Sequence, residues 1–216
     1  MNKIVLWFTK ITGYIPYMIY FKPKIYYENK KIQNRRIKGP AIIITNHISV
    51  IDFALFMMIF FFRDIYVLVG EVLFQKNKLL SWFLKNIGGI KVDRNKNDLT
   101  FHRKITKIFN KNRVVQIFPE GRLPREGEID LLPFKPGYVY YALKHDVKII
   151  PVYTKRYYKD NTKKISRTDL IIGEPIELNK LYDNTKSNRE NVELLNEYVY
   201  NHMKELGSKL NEASKK

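Results

Sequence analysis

Apolar positions along the chain fall into short β-branched runs, separated by longer stretches in which they recur at helical spacing. Residues 41–45, Ala-Ile-Ile-Ile-Thr, read as a buried strand, and residues 53–62 are too apolar and too long for a loop, so they read as a helix apolar all round. The same reading predicts strands at 65–69, 89–92, 114–118, 148–154 and 170–173. Helices are predicted at 73–87, 99–110, 138–144 and 188–210. Alternation of this kind argues for an α/β domain, a largely parallel central sheet flanked by helices. No internal repeat or low-complexity linker interrupts it.

The first 21 residues are rich in large apolar and aromatic side chains, from Ile4 and Trp7 to Tyr20 and Phe21. At roughly 1.5 Å per residue a helix here approaches the ~30 Å of a bilayer core. Thr9, Lys10, Thr12, Gly13 and Pro16, however, put polar groups on one face and a helix breaker within it. The expectation is two short helices lying in the membrane interface, with Trp7 and the tyrosines at headgroup level. Lys10 and the lack of a small-residue cleavage site argue against a signal peptide. Residues 22–38 carry seven basic side chains against the single acid Glu28, which reads either as a solvated connector or as a cluster facing anionic lipid. The expected division is therefore a membrane-associating helical segment with its basic cluster at 1–38, and one domain at 39–216.

Composition narrows the chemistry. The 216 residues are 45% hydrophobic, enough for a full core. Lys and Arg outnumber Asp and Glu by 39 to 21, and the resulting +18 suits phospholipid headgroups, nucleic acid or an acidic partner. There is no cysteine, which excludes thiolate catalysis, disulfides and sulfur-ligated metals.

Two stretches carry candidate chemistry. In Asn46-His47-Ile48-Ser49-Val50-Ile51-Asp52, at a strand-to-helix junction, Ser49 and Asp52 have capping-box spacing. Alternatively, Asp52 accepts the proton of one His47 ring nitrogen and leaves the other as a general base. Spacing alone leaves both open. The second stretch, 119–137, is a long loop leaving a buried strand, where ligands of α/β folds tend to bind. Its turn Pro119-Glu120-Gly121-Arg122 can present amides and a guanidinium together as a phosphate cradle, or be a solvated surface turn.

Taken in order, these residues resemble the glycerolipid acyltransferases of the 1-acylglycerol-3-phosphate acyltransferase type. Asn46-His47 and Asp52 match the family's His-x4-Asp signature, and Gly88-Gly89-Ile90-Lys91-Val92-Asp93-Arg94 resembles its second block. Phe118-Pro119-Glu120-Gly121-Arg122 resembles the third, and Phe134-Lys135-Pro136-Gly137 with Ile150-Pro151-Val152 the closing blocks. The resemblance covers roughly residues 40–155. Two departures fall where the family binds the acceptor's phosphate: Val69 and Gly70 stand where a lysine often precedes the glutamate matching Glu71, and Arg122 follows Gly121 directly where Glu-Gly-Thr-Arg is common.

The resemblance implies direct acyl transfer, without a covalent acyl-enzyme, from acyl-CoA or acyl carrier protein to the sn-2 hydroxyl of 1-acylglycerol 3-phosphate, giving phosphatidic acid. His47 oriented by Asp52 would be the base. Arg94 and Arg122 would bind the acceptor phosphate with Glu120 holding the turn, amides near Gly121 would meet the oxyanion, and Lys135 would help close the site. Asn46, Phe118, Pro119 and Gly121 complete the expected substrate site, and the apolar helix at 53–62 reads either as the lining of an acyl channel or as buried core. No cofactor and no metal is expected; His102, His145 and His202 read as surface or core residues without acidic partners. Expected partners are an anionic membrane surface, the lysophospholipid and the acyl donor, with no nucleic acid, at the cytoplasmic face of the cell membrane as a peripheral or monotopic protein. The alternatives are the same fold with another lysolipid or glycerol 3-phosphate as acceptor, or a non-catalytic basic protein that binds membrane or nucleic acid.

Overall fold

The computed structural model describes residues 1–92, 99–126, 128, 131–159, 162 and 164–215. Its strands are β1 (Pro23–Tyr27), β2 (Ala41–Thr45), β3 (Ile65–Gly70), β4 (Gly89–Val92), β5 (Val114–Ile117), β6 (Lys148–Tyr158) and β7 (Ile165–Ile172). They form one sheet in the order β1-β7-β6-β2-β5-β3-β4. Every pairing is parallel except the antiparallel β6–β7 pair. The helices are α1 (Lys3–Phe21), α2 (Asp52–Ile59), α3 (Glu71–Gln75), α4 (Lys78–Ile87), α5 (Leu99–Asn110), α6 (Gly137–His145) and α7 (Asn188–Ala213).

Both faces of the sheet are covered, which is why the central strands read as unbroken apolar runs. Side chains of β2 alternate between the two layers. Ile42 and Ile44 pack with Ile105 of α5, Val139 of α6 and Val199, Met203 and Leu206 of α7. Ile43 faces the other way, towards Leu55, Phe56 and Ile59 of α2 and Phe21 of α1. The helix α2 is buried along nearly its whole length, between the sheet and α1.

The N-terminal region departs from expectation in three ways. It forms one helix, not two, because Asn2 caps it through Ile4 N–H (2.9 Å) and the chain runs on through Pro16 to a left-handed Lys22. Lys10 does not face solvent. It is fully buried, and its Nζ donates to Phe61 O (2.6 Å) and Arg63 O (2.7 Å), carbonyls just past the end of α2. Finally, the basic stretch 22–38, for which no strand is predicted, contains β1, which extends the same sheet alongside β7. The predicted helix at 73–87 is also broken in two, where Asn77 Oδ1 accepts from Leu80 N–H (2.6 Å) and starts α4 afresh.

Burial lowers the Lys10 ammonium from 10.5 to about 8, with Asp64 partly opposing. Between those values the unfolded chain binds more protons than the folded one, so stability rises with pH across the window. Relative to Lys10→Met, the wild type should gain up to about 3 kcal/mol between pH 8 and pH 10.5, read from urea midpoints. A pH-independent difference would mean that this ammonium is not desolvated in the folded chain.

Candidate active site

The site lies at the carboxyl ends of β2 and β5, where both strands run out into loops. Here α2 begins at Asp52, with Ile51 at the N-cap and no side-chain cap. The Asp52 carboxylate folds back over the preceding turn. Its Oδ2 accepts from Ile48 N–H (2.7 Å) and Ser49 N–H (2.7 Å) and lies 3.1 Å from His47 Nδ1. The acidic half of the capping pattern and the His-Asp contact therefore coexist on one oxygen, while the Ser49 hydroxyl does not bond the Asp52 amide. With donors on both oxygens the carboxylate acts as an acceptor, so Nδ1 carries the imidazole proton and Nε2 keeps its lone pair.

Besides Asp52, two contacts hold His47 in place. Its ring stacks on Phe118 at 4.1 Å between centroids, and its N–H donates to Glu120 Oε1 at 2.9 Å. On the preceding residue, Asn46 Oδ1 accepts from Thr154 N–H (2.8 Å) and Nδ2 donates to Thr154 O (2.9 Å). The amide thus continues the β2–β6 ladder one residue beyond Thr45, and both of its ends are engaged there. Glu120 ties two segments together, since the Leu132 amide also bonds it. Burial pushes the Glu120 carboxyl upward, against those two backbone hydrogen bonds.

Among the phosphate candidates, Gly121 turns at φ +71, and a Cβ there would meet Lys135 Cδ and Cε at 3.1 Å. The Lys135 backbone closes onto the same turn through Pro119 O (2.9 Å). Arg122 is engaged by Glu128 in a two-pronged pair (2.6 and 2.7 Å), which draws the Glu128 carboxyl down to about 2. Lys91 of β4 forms an ion pair with Glu71, so a cation does stand beside Glu71 although Val69 and Gly70 precede it. Arg94 lies outside the described residues. His202, read as lacking an acidic partner, sits 3.5 Å from Glu28 across some 170 residues of chain, a pairing that local spacing cannot reveal.

Sequence reasoning missed Arg156. Its Nη2 donates to Asp52 Oδ1 at 2.8 Å, and both side chains are almost wholly buried. The signal was present in β6, whose even positions Ile150, Val152 and Thr154 point inward, so that Arg156 continues an interior face. Among the described residues, no group of three or more His, Asp or Glu side chains is arranged to hold a metal ion.

The sequence profile of the Acyltransferase family matches residues 24–155, more than half of the chain. The chain belongs to this family. Over 151 residues it is 30% identical to human 1-acyl-sn-glycerol-3-phosphate acyltransferase beta, a match covering 69% of this chain and 51% of the relative. It is 29% identical over 118 residues to the Saccharomyces cerevisiae 1-acyl-sn-glycerol-3-phosphate acyltransferase, covering 53% of this chain and 38% of that protein. The chain spans about half the length, or less, of these curated relatives. The crystal structure of a 1-acyl-sn-glycerophosphate acyltransferase from Thermotoga maritima shares the fold, with a TM-score of 0.63 and 20% identity over 92% of this chain and 79% of that one.

The matched span of this acyltransferase contains His47, Asp52, Glu120, Arg122 and Lys135. Arg156 lies one residue beyond it.

Proposed function

We propose that this acyltransferase moves a fatty acyl chain from acyl-CoA or acyl carrier protein to the sn-2 hydroxyl of 1-acylglycerol 3-phosphate, giving phosphatidic acid. The observation that carries the reading is the His47 imidazole, held through Nδ1 by Asp52 and on its face by Phe118, with Nε2 left to take a proton. Its 18% side-chain exposure leaves it reachable by substrate. The names of the human and yeast relatives supply the acceptor.

In the proposed step the acceptor hydroxyl attacks the thioester carbonyl as Nε2 removes its proton. The C–O bond forms, the C–S bond breaks, and the imidazolium returns its proton to the departing thiolate. Base catalysis of this kind contributes about 10²- to 10⁴-fold. No cofactor takes part. Arg122 would meet the acceptor phosphate by exchanging Glu128 for it, and Lys135, exposed beside the Gly121 turn, would add a second charge. Arg94 is proposed for the same phosphate on the resemblance alone.

The reading places the enzyme on the cytoplasmic face of the cell membrane, as a peripheral or monotopic protein. No helix among the described residues is long and apolar enough to cross a membrane. Support for surface docking comes from α1, whose Ile4, Phe8, Ile11, Ile15 and Ile19 are each at least 65% exposed along one face. The basic residues of 22–38 follow directly and suit anionic headgroups.

The Glu128 pair on Arg122 and the absence of a lysine before Glu71 favour testing other acceptors alongside. Purified protein in vesicles should make phosphatidate from lysophosphatidate and labelled long-chain acyl-CoA or acyl carrier protein. Lysophosphatidate should compete better than glycerol 3-phosphate or other lysolipids. Acylation confined to another acceptor would replace the lysophosphatidate assignment.

A further inference from the structure

Arg156 is a costly residue to place where it is. Its guanidinium is desolvated, its Nε is buried without a hydrogen-bond partner among the described residues, and the Phe21 ring at the end of α1 covers it at 5.1 Å. A buried ion pair seldom stabilises a fold more than well-packed apolar side chains of similar volume would. What this pair contributes is geometric. Asp52 has one oxygen committed to the turn and to His47, and among the described residues only Arg156 bonds the other. Without Arg156, Oδ1 would be an unsatisfied buried acceptor, and rotation of the carboxylate could trade the His47 contact for a substitute partner.

We propose that Arg156 is a positioning residue for acyl transfer, fixing the Asp52 carboxylate through Oδ1 so that Oδ2 holds the plane and tautomer of the His47 ring. The inference rests on the reading of His47 and Asp52 given above. Phe21 and Asp52 together enclose the guanidinium, so the end of α1 also seals the contact from water. Only Nη2 reaches Asp52, so one charged donor, not the two-pronged fork, is what the site requires.

The test is steady-state phosphatidate formation by the full chain in vesicles, with a thermal melt of each variant. Arg156→Met should lower kcat about 10- to 10²-fold, the scale of a small misplacement of a catalytic group, while KM for acceptor and donor stays within about twofold. Arg156→Lys should recover most of the loss. In an Asp52→Asn background, Arg156→Met should add less than about a twofold further loss, because the arginine acts through the carboxylate. The proposal is overturned by unchanged kcat in Arg156→Met, by a KM rise without a kcat loss, or by losses in the two variants that multiply. Should Arg156→Met fail to melt cooperatively, Arg156→Gln takes its place, and equal kcat in the Gln and Lys variants overturns the proposal. His47→Ala is run alongside: if it keeps full activity, the reading of the site itself falls, whereas its loss with Arg156→Met unaffected removes only the role of Arg156.

Discussion

His47→Ala should reduce phosphatidate formation by at least about 10²-fold in kcat, while the protein keeps its melting transition and its affinity for vesicles. The expectation follows from how little else the imidazole supports. Asp52 retains the Ile48 and Ser49 amides and the Arg156 guanidinium, and the His47 amide still donates to Glu120. The turn from Asn46 to Asp52 is therefore braced without the ring, which gives up its stacked contact with Phe118. Chemistry and folding separate at this position, as they would not at Asp52, whose removal leaves Arg156 buried without its partner. The measurement is single-substrate kinetics on vesicles containing lysophosphatidate, with the melt and a sedimentation assay on the same preparation. Activity within about twofold of wild type would remove His47 as the base.

Where structure followed from local pattern, the sequence was readable. The runs that became β2, β4 and α5 have the expected bounds, because each is decided by its own periodicity and by Gly or Asn at its ends. The His47 and Asp52 contact was legible for the same reason, five residues apart across one turn. The capping alternative held only in its acidic half: Asp52 accepts from the Ser49 amide, but the helix starts at Asp52 with Ile51 as its N-cap, so Ser49 does not cap it.

The contacts that escaped are those made between distant segments. Arg156 reaches Asp52 across 104 residues, and only the β2–β6 register brings them together. Lys10 looked like a polar interruption of an apolar face. Its burial depends on two carbonyls freed just past the end of α2, which no local pattern announces. The strand β1 carries Lys24 among aromatic residues and has no clean alternation, so its pairing with β7 is a tertiary outcome. In the long loop the turn at Gly121 was expected, but the claim of Glu128 on Arg122 was not, although it spans only six residues. Charges in loops have too many possible partners for spacing to choose among them.

Replacing Phe8, Ile11 and Ile15 with glutamate should release the protein from anionic vesicles, lowering its partition by about 10²-fold or more. These three side chains are 66–67% exposed on the outer face of α1, while Leu6 and Lys10 on its inner face are fully buried, so the fold should tolerate the change. Transfer of three such side chains into the acyl region of a monolayer is worth at least about 3 kcal/mol, at roughly 1 kcal/mol each for partial insertion. Glutamate adds repulsion from anionic headgroups. The basic residues of 22–38 would remain, each contributing up to about 1 kcal/mol near such a surface, and that remaining attraction should fade as salt shortens the Debye length below ~10 Å. Acylation of lysophosphatidate embedded in vesicles should fall with the partition, while turnover of a short-chain acceptor dispersed in detergent stays near wild type. Partition within about threefold of wild type would mean that this face covers something other than lipid, whereas loss of turnover in detergent as well would mean that α1 shapes the site and not only its address.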